Sequence, residues 1–290
     1  MRMIQLSDLH FGTEQPEVVD ALVATIQSLQ PDLLLLSGDI TQRARRSQFR
    51  ACEHFLARLP QVAVMAVPGN HDLPLFNLWQ RLWAPYAQFQ RSFGDELAPE
   101  YESDQLLVLG VNTTCPGRHV DGGFSTASLN AVAQRLKNSR ARVKIVMGHH
   151  PVDAVQAVDE KNIAEGADAA VRAWSAAGMQ LYLAGHIHYP FHARLDRRYP
   201  GVPANCWTLQ AGTAISSRVR DHKANSFNLI DWSADQDTLR LERWDFTPTT
   251  PGFMRVEQAQ LPLRDEPGAS SEGWASLTGS GSDVSASDRV

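Results

Sequence analysis

The sequence is poor in cysteine, with three residues in a chain of 290: Cys52, Cys115 and Cys206. They are widely spaced and odd in number, which argues against a disulfide framework and against a thiolate zinc site. Cys52 falls on a predicted helical face and Cys206 in a predicted strand, so both are expected to be small core residues. Cys115 lies beside Pro116 and Gly117 in a predicted loop, where partial exposure is expected.

Long hydrophobic runs and an excess of positive charge are also absent. The apolar runs at residues 33–36 and 62–67 are far too short to span a bilayer. A first strand begins at residue 3, leaving no room for a signal peptide before the first polar motif, so a cytoplasmic protein is expected. The net charge of −5 gives no general attraction to nucleic acid or anionic lipid. An anionic substrate would therefore need local positive charge, such as bound metal.

The length and composition are those of an ordinary globular protein. With 43% hydrophobic and 20% charged residues, 290 residues can bury a sizeable core. Strands and helices alternate up to about residue 184, which predicts an α/β fold with parallel strands. Later strands, expected to pair antiparallel, are predicted at residues 205–210, 226–232 and 238–246. The Ser-, Gly- and Asp-rich end predicts one folded domain at residues 1–265 and a disordered tail at residues 266–290.

Buried strands and amphipathic helices can be located by their periodicity. The earlier strands are predicted at residues 3–6, 33–37, 62–67, 106–111, 143–147 and 181–184. Thr13 is expected to cap the first helix, and Pro16 to lie in its first turn. Residues 73–93, rich in Leu, Phe, Trp and Tyr, predict helix broken at Pro85. Their aromatic side chains are expected to pack in the core or, because they follow His71, to line a substrate pocket.

Polar side chains follow five of the predicted strands. These strand-end residues are Asp8 and His10, Asp39, Asn70 and His71, His149 and His150, and His186 and His188. Parallel strands bring their carboxyl ends to one edge of a sheet, so the side chains are expected to meet there. Asp8 and His10 are two residues apart, as are His186 and His188. In extended chain each pair would project from one face.

The strand-end residues offer oxygen and imidazole nitrogen, with no thiolate. This set favours Mn, Fe, Zn, Co or Mg in a functional site over a structural zinc site. Seven candidate ligands are too many for one ion. Two ions about 3.5–4 Å apart need a shared anion to offset their repulsion, and one of the carboxylates can supply it. Arg43, Arg45 and Arg46 follow Asp39, and most of this run is expected to be a solvated loop and helix start. Arg43 is the nearest of the three to Asp39 and is expected to hold a substrate phosphate.

The strand-end motifs resemble those of a known family. Asp8-x-His10, Gly38-Asp39, Gly69-Asn70-His71-Asp72, Gly148-His149-His150-Pro151 and Gly185-His186-x-His188 are similar, in type and order, to the motifs of the calcineurin-like metallophosphoesterases. The resemblance covers residues 3–230 and implies a four-layer α/β/β/α sandwich of two mixed β-sheets flanked by helices. Residues 112–136 resemble a segment of the class III cyclic-nucleotide phosphodiesterases. Asn112 departs from it, because those enzymes usually carry Asp there.

The resemblance implies how the ligands would divide between two metal ions. The first ion would be bound by Asp8, His10, Asp39 and His188. The second would be bound by Asp39, Asn70, His149 and His186, with Asp39 bridging. The ions implied are Mn²⁺ or Fe²⁺/Fe³⁺, with Zn²⁺, Co²⁺ or Mg²⁺ as alternatives. His149 matches the ligand position, and His150 is the alternative to it.

The substrate-binding set is Asn70, His71 and Arg43. By resemblance, His71 would contact the phosphate as a non-ligand histidine and help to protonate the leaving oxygen. Protein phosphatases of this family carry an Asp partner within Gly-Asp-x-x-Asp-Arg-Gly. Gln42 stands in its place, which argues against a protein phosphatase and leaves His71 without that partner.

The activity implied is hydrolysis of small phosphodiesters by attack of a metal-bound hydroxide, with 3',5'-cyclic nucleotides as the first substrate to test. The alternatives are a nuclease or broad-specificity phosphomonoesterase of the same family, or a metal-binding scaffold without turnover. Residues 43–50 are the only basic run, so a long nucleic-acid track is not expected. No membrane partner is expected, and a homodimer could form through the C-terminal strands or residues 73–93.

Overall fold

The structure, a computed structural model, describes residues 1–59, 61–264 and 275–276. The first sheet begins with strands β1 (Arg2–Leu6), β2 (Leu33–Ser37) and β3 (Ala63–Val67), which pair in parallel. Every residue of β2 is buried, because a parallel sheet covered on both faces favours an unbroken apolar run. Antiparallel strands extend the sheet beyond β1: β10 (Ser226–Asp231), β11 (Thr238–Thr247), β12 (Gly252–Pro262) and β13 (Ala275–Ser276).

The second sheet, with strand order β4-β5-β6-β7-β9-β8, faces the first. Its strands are β4 (Glu100–Glu102), β5 (Leu106–Gly110), β6 (Val143–Met147), β7 (Leu181–Ala184), β8 (Phe191–Arg194) and β9 (Trp207–Gln210). The strand predicted at residues 205–210 is β9, which pairs antiparallel with β8, as expected, but also pairs parallel with β7, which was not expected. Strand β8, which was not predicted, lies at the edge of the sheet and runs antiparallel to β9. The chain reverses direction in β8, so β9 runs in the same direction as β7.

Successive side chains along the strands point to opposite faces of each sheet and belong to three apolar clusters. Leu33 and Leu35 point between the sheets and pack with apolar residues of β5, β6 and β7. Leu34 and Leu36 point the other way, into a cluster formed with the helices on the outer side of the first sheet. A third cluster joins the second sheet to its own helices. Burying one such leucine contributes roughly 1.5–3 kcal/mol.

Helices cover both outer faces, which confirms the predicted α/β/β/α sandwich of two mixed sheets. α1 (Pro16–Leu29) and α2 (Arg46–Ala57) cover the first sheet. α5 (Thr126–Asn138) and α6 (Ala167–Ala176) cover the second. The predicted Thr13 cap of α1 was wrong: Gln15 occupies the N-cap without a side-chain bond, and Thr13 Oγ1 donates to His10 O at 3.0 Å.

Residues 73–93 form two short helices, α3 (Leu78–Trp83) and α4 (Ala87–Phe93), separated around Pro85 as predicted. Phe89 is buried in the core, but Trp79 and Trp83 are each 75% exposed. The prediction that the aromatic side chains pack in the core was therefore wrong for both tryptophans. α3 is held by polar contacts of Arg81 instead of by its apolar face.

The remaining expectations concern cysteines and chain ends. Cys52 and Cys206 are buried, and Cys115 is exposed, as expected. Across the described ranges, no helix is both long and apolar enough to cross a bilayer. The predicted disordered tail at residues 266–290 lies outside the described residues, apart from the backbone of β13.

Candidate metal centre

The strand-end residues meet where the carboxyl ends of two sheets face each other. Asp8 and Asp39 follow β1 and β2 of the first sheet, whereas His149 and His186 follow β6 and β7 of the second. The expectation of a single sheet edge was therefore wrong: the site lies between two such edges. Within each sheet, strand pairing continues into the loops, since His10 N donates to Asp39 O at 2.9 Å and Gly185 N donates to His149 O at 2.9 Å.

The loops adopt unusual backbone geometry. Asp8, His10, Asp39, His186 and His188 all have positive φ, between 45° and 74°. The expectation that Asp8 and His10 project from extended chain was therefore wrong, as it was for His186 and His188. Left-handed backbone in residues other than glycine carries strain and is concentrated at functional sites.

Glycines in the motifs permit close approach of the two sheets. A Cβ added to Gly38 would lie 2.4 Å from Nδ1 of His149, and Gly38 itself has φ of +90°. A Cβ on Gly185 would lie 1.9 Å from Ser7 Oγ. These positions require glycine because a side chain would force the sheets apart.

One group of donors surrounds Asp8. His188 Nε2 lies 3.1 Å from Asp8 Oδ1 and 3.1 Å from His10 Nε2. His10 Nε2 in turn lies 3.7 Å from Asp39 Oδ2. The Nδ1–H of His188 donates to the carbonyl oxygen of Arg218 at 2.7 Å, which turns Nε2 towards Asp8.

A second group surrounds Asn70. Its Oδ1 lies 3.2 Å from His149 Nε2 and 3.1 Å from His186 Nδ1. His149 Nε2 also lies 3.4 Å from Asp39 Oδ1, so Asp39 contacts both groups. The Nδ1–H of His149 donates to Ser37 O at 2.9 Å, which directs Nε2 into the centre.

His150 differs from His149 in its hydrogen bonds. Its Nδ1 accepts from Thr113 Oγ1 at 2.8 Å, and its Nε2–H donates to Val120 O at 2.9 Å. Both ring nitrogens therefore have protein partners, although His150 lies close enough to His149 and His186 to form a possible three-residue metal group. This arrangement favours His149 as the ligand of the pair.

The charges at the centre suit cations. Among the described residues, Asp8 and Asp39 form ion pairs with histidines only. Burial acts to raise the pKa of Asp39, but His149, His71 and His10 together outweigh it and hold the pKa well below the usual range. Burial also opposes the charge on His149, yet Asp39 and Asp8 raise that pKa to about 9. Burial lowers the pKa of His10 to about 3, which keeps this imidazole neutral and able to ligate.

The donor chemistry also fits divalent metal ions. Carboxylates and imidazoles gather in four groups of three whose ligand atoms lie within 4.8 Å of one another. The groups overlap, because each of four residues belongs to two of them: Asp8, His10, Asp39 and His149. Oxygen and imidazole donors without thiolate suit Mn, Fe, Zn, Co or Mg. The described residues can therefore bind metal, and the donor set does not distinguish among these ions.

A cavity of about 520 Å³ opens over these donors. Its lining includes Asp39, Asn70, His71, His186, His188 and Arg218. Arg218, which sequence analysis missed, places Nη1 3.2 Å from His71 Nε2 and 3.1 Å from Gln42 Oε1. It is exposed and, within the described ranges, has no carboxylate partner. The neighbouring Arg220, by contrast, is paired with Asp159 at 2.6 Å.

Of the two predicted substrate-binding residues outside the ligand set, His71 lines this cavity and Arg43 does not. The Nδ1–H of His71 donates to the backbone oxygen of Gln42 at 2.9 Å, so a carbonyl orients the ring that lacks an aspartate partner. Arg43 lies with its guanidinium carbon 5.6 Å from the centre of the Phe76 ring. It lines a small side cavity that also contains Asn70 and His71.

Comparisons with known proteins agree with this geometry. A model of the calcineurin-like phosphoesterase family matches residues 1–190. A 3',5'-cyclic-nucleotide phosphodiesterase of Nostoc sp. is 24% identical over 259 residues, which are 82% of this chain and 91% of that protein. A probable glycerophosphodiester phosphodiesterase of Arcobacter nitrofigilis is 24% identical over 202 residues, which are 65% of this chain and 72% of that protein.

Solved structures show the same sandwich. The crystal structure of a dimetal phosphatase from Danio rerio has a TM-score of 0.64 and 16% identity, and the match covers 91% of this chain and 99% of that one. This likeness supports the fold, while the family match covers the five strand-end motifs from Asp8 to His188. On these grounds the chain belongs to the calcineurin-like phosphoesterase family.

Proposed function

We propose that the protein is a two-metal phosphodiesterase acting on small phosphodiesters. The observation that carries the proposal is the position of Asp39, whose oxygens lie 3.7 Å from His10 Nε2 and 3.4 Å from His149 Nε2. A carboxylate between two sets of imidazole and oxygen donors can bridge two cations. The family membership and the relatives named as phosphodiesterases support a hydrolase.

The two donor groups define the proposed ligand sets. The first metal would be held by Asp8, His10, Asp39 and His188. The second would be held by Asp39, Asn70, His149 and His186. Mn²⁺ and iron are the first ions to test, followed by Zn²⁺, Co²⁺ and Mg²⁺. When bound, such ions lower the pKa of water and stabilise charge on the phosphoryl oxygens.

The chain's own residues then orient and protonate the substrate. Nε2 of His71 faces the cavity because Nδ1 is held by Gln42, so Nε2 would give the proton to the leaving oxygen. Such general acid catalysis contributes on the order of 10²–10⁴-fold. The guanidinium of Arg218, poised beside His71 without a carboxylate partner, would donate to a non-bridging phosphate oxygen. Arg43 would assist from the side cavity.

The substrate class is a phosphodiester small enough for the cavity. The relative in Nostoc sp. supports 3',5'-cyclic nucleotides, and the relative in Arcobacter nitrofigilis supports glycerophosphodiesters. A cavity of about 520 Å³ accommodates either type of molecule.

The test is a metal-reconstituted screen of the full-length protein. Chelated protein, reloaded with each ion, would be assayed on bis-p-nitrophenyl phosphate, cyclic nucleotides, glycerophosphodiesters and phosphomonoesters, alongside metal analysis. We expect Asp39→Asn to lose both metal and diesterase activity, whereas the exposed Asp20→Asn should retain both. Full activity of Asp39→Asn, or activity in chelated protein, would contradict the two-metal proposal. If only monoesters were hydrolysed, the protein would be a phosphomonoesterase and not a diesterase.

A further inference from the structure

The short helix α3 and the turn before it expose a cluster of large apolar side chains. Their exposed fractions lie between 71% and 77%, and they are Phe76, Leu78, Trp79, Leu82 and Trp83, here called the α3 patch. Scattered exposed apolar residues are normal, but five within eight positions form a contiguous surface that marks an interaction site. The proposed hydrolysis of small phosphodiesters makes no use of this surface.

The fold presents the α3 patch by anchoring the opposite side of the helix. Arg81 donates to the carbonyl oxygens of Pro116 at 2.7 Å, Pro74 at 3.0 Å and Arg118 at 2.6 Å. Asn77 caps the helix by accepting from Gln80 N at 3.0 Å. At about 100° per residue, the apolar positions of α3 share one side of the helix and Arg81 lies on the other. Polar contacts therefore fix α3 while its apolar side faces outwards.

The surroundings of the α3 patch are positively charged. The guanidinium of Arg43 lies over the ring of Phe76, with 5.6 Å between its carbon and the ring centre. Arg45 and Arg46 follow Arg43 and are exposed. Residues 40–52, which include Arg43, and residues 73–94, which include the α3 patch, together contain six arginines, and the acidic residues directly outside these ranges are Asp39, Glu53, Asp72 and Asp95.

We propose that the α3 patch docks on an anionic lipid bilayer. Trp, Phe and Leu on one side of a helix with arginine nearby are the side chains that lie at the membrane–water interface. Basic residues add attraction to anionic headgroups. A second copy of the chain fits less well, since a two-fold contact through this surface would bring the same arginines face to face.

Docking through the α3 patch would bring the candidate metal centre close to the bilayer surface. Arg43, which lies over the Phe76 ring, and Leu75, which precedes Phe76, line the same side cavity as Asn70 and His71. The expectation of no membrane partner rested on the net charge and on the shortness of the apolar runs. Net charge averages over the surface and does not report a single basic, apolar face.

The test is flotation of the full-length protein with vesicles of phosphatidylcholine, with and without phosphatidylglycerol. We expect binding to vesicles that contain phosphatidylglycerol, weakened by added salt. In the Trp79→Ser/Trp83→Ser double variant, binding should weaken roughly tenfold or more. Met254→Ser, which removes an apolar side chain 55% exposed on β12, is the matched control and should bind as the wild type does.

Two further measurements make the outcome unambiguous. Hydrolysis of soluble bis-p-nitrophenyl phosphate and the urea unfolding midpoint should be unchanged in the double variant, which shows that it folds. Absence of wild-type binding, or unchanged binding by the double variant, would overturn the proposal. A wild-type dimer that the double variant dissociates, without vesicle binding, would assign the α3 patch to a second copy and also overturn it. None of these three results would affect the proposed hydrolase activity.

Discussion

The buried carboxylate of Asp72 ties the ends of β2 and β3 together, and its removal is expected to weaken both fold and site. Its oxygens accept from Ile40 N at 3.1 Å, Thr41 N at 2.8 Å, Thr41 Oγ1 at 2.9 Å and Gly69 N at 2.9 Å. These partners adjoin the candidate metal ligands that follow the two strands. Asp72 therefore acts as a positioning residue for the centre.

The magnitude follows from the four hydrogen bonds. In Asp72→Ala, three backbone N–H groups and one hydroxyl lose their acceptor, and a buried donor without a partner costs about 1–3 kcal/mol. Water entering the space would satisfy some of these donors. Burial and the charge of Asp39 raise the pKa of Asp72 to about 7, so removing the carboxylate also relieves an unfavourable buried charge. We therefore expect the free energy of unfolding to fall by about 3–5 kcal/mol.

Urea unfolding at neutral pH measures this loss. Asp20→Ala is the control: Asp20 is exposed and pairs with Arg58 at the surface, so a change within about 0.5 kcal/mol is expected. Diesterase activity, assayed where Asp72→Ala is still folded, should also fall because Asp39 is no longer held in place. A loss of stability below about 1 kcal/mol would refute the reasoning, since even one stranded donor should exceed it.

Three further predictions concern other residues. In Arg218→Ala, KM for the diester should rise about tenfold or more while kcat changes less, because a charge-assisted bond to phosphate is lost; an unchanged KM, equal to that of the surface control Arg58→Ala, would contradict this role. Metal analysis should show that His149→Ala loses metal and His150→Ala keeps it, since both ring nitrogens of His150 already have protein partners; the reverse result would exchange their roles. Burial, and to a smaller extent Arg197, lowers the pKa of His192 to about 4. His192 therefore binds a proton more readily in the unfolded chain than in the folded protein, and the free energy of unfolding falls as the pH drops from about 6.5 towards 4. Urea unfolding at pH 7 and pH 5 measures the effect: the free energy of unfolding should fall by about 2 kcal/mol less in His192→Gln than in the wild type. An equal fall in both proteins would refute the lowered pKa of His192.

Local patterns carried much of the fold and of the candidate site. The apolar run of β2 followed by Gly38 and Asp39 predicted a buried strand and a carboxylate at its end, because both features depend on neighbouring residues alone. The same reasoning found the strand ends near Asn70 and His149. It failed for Thr13, whose hydroxyl bonds back to His10, and for β8, whose short edge strand has no clear periodicity.

The candidate site's geometry depends on contacts that no local pattern contains. The positive φ of Asp8 and His10 arises where loops from distant strands bond to each other. Arg218 contacts His10 across 208 positions of the chain, and an arginine in a loop gives no local signal of that partner. The orientation of His149 likewise depends on the carbonyl of Ser37, on the opposite sheet.

By itself, the sequence determined the strands that carry the candidate metal ligands and the donor types that follow them, because burial periodicity and turn chemistry act over a few residues. The tertiary structure decided that two sheets supply the centre, which ring nitrogens face it and that Arg218 lies above it. It also decided that the apolar side of α3 faces solvent, since Arg81 anchors the opposite side to carbonyls of a distant loop. These outcomes depend on how separate elements pack, and packing is fixed only when the whole chain has folded.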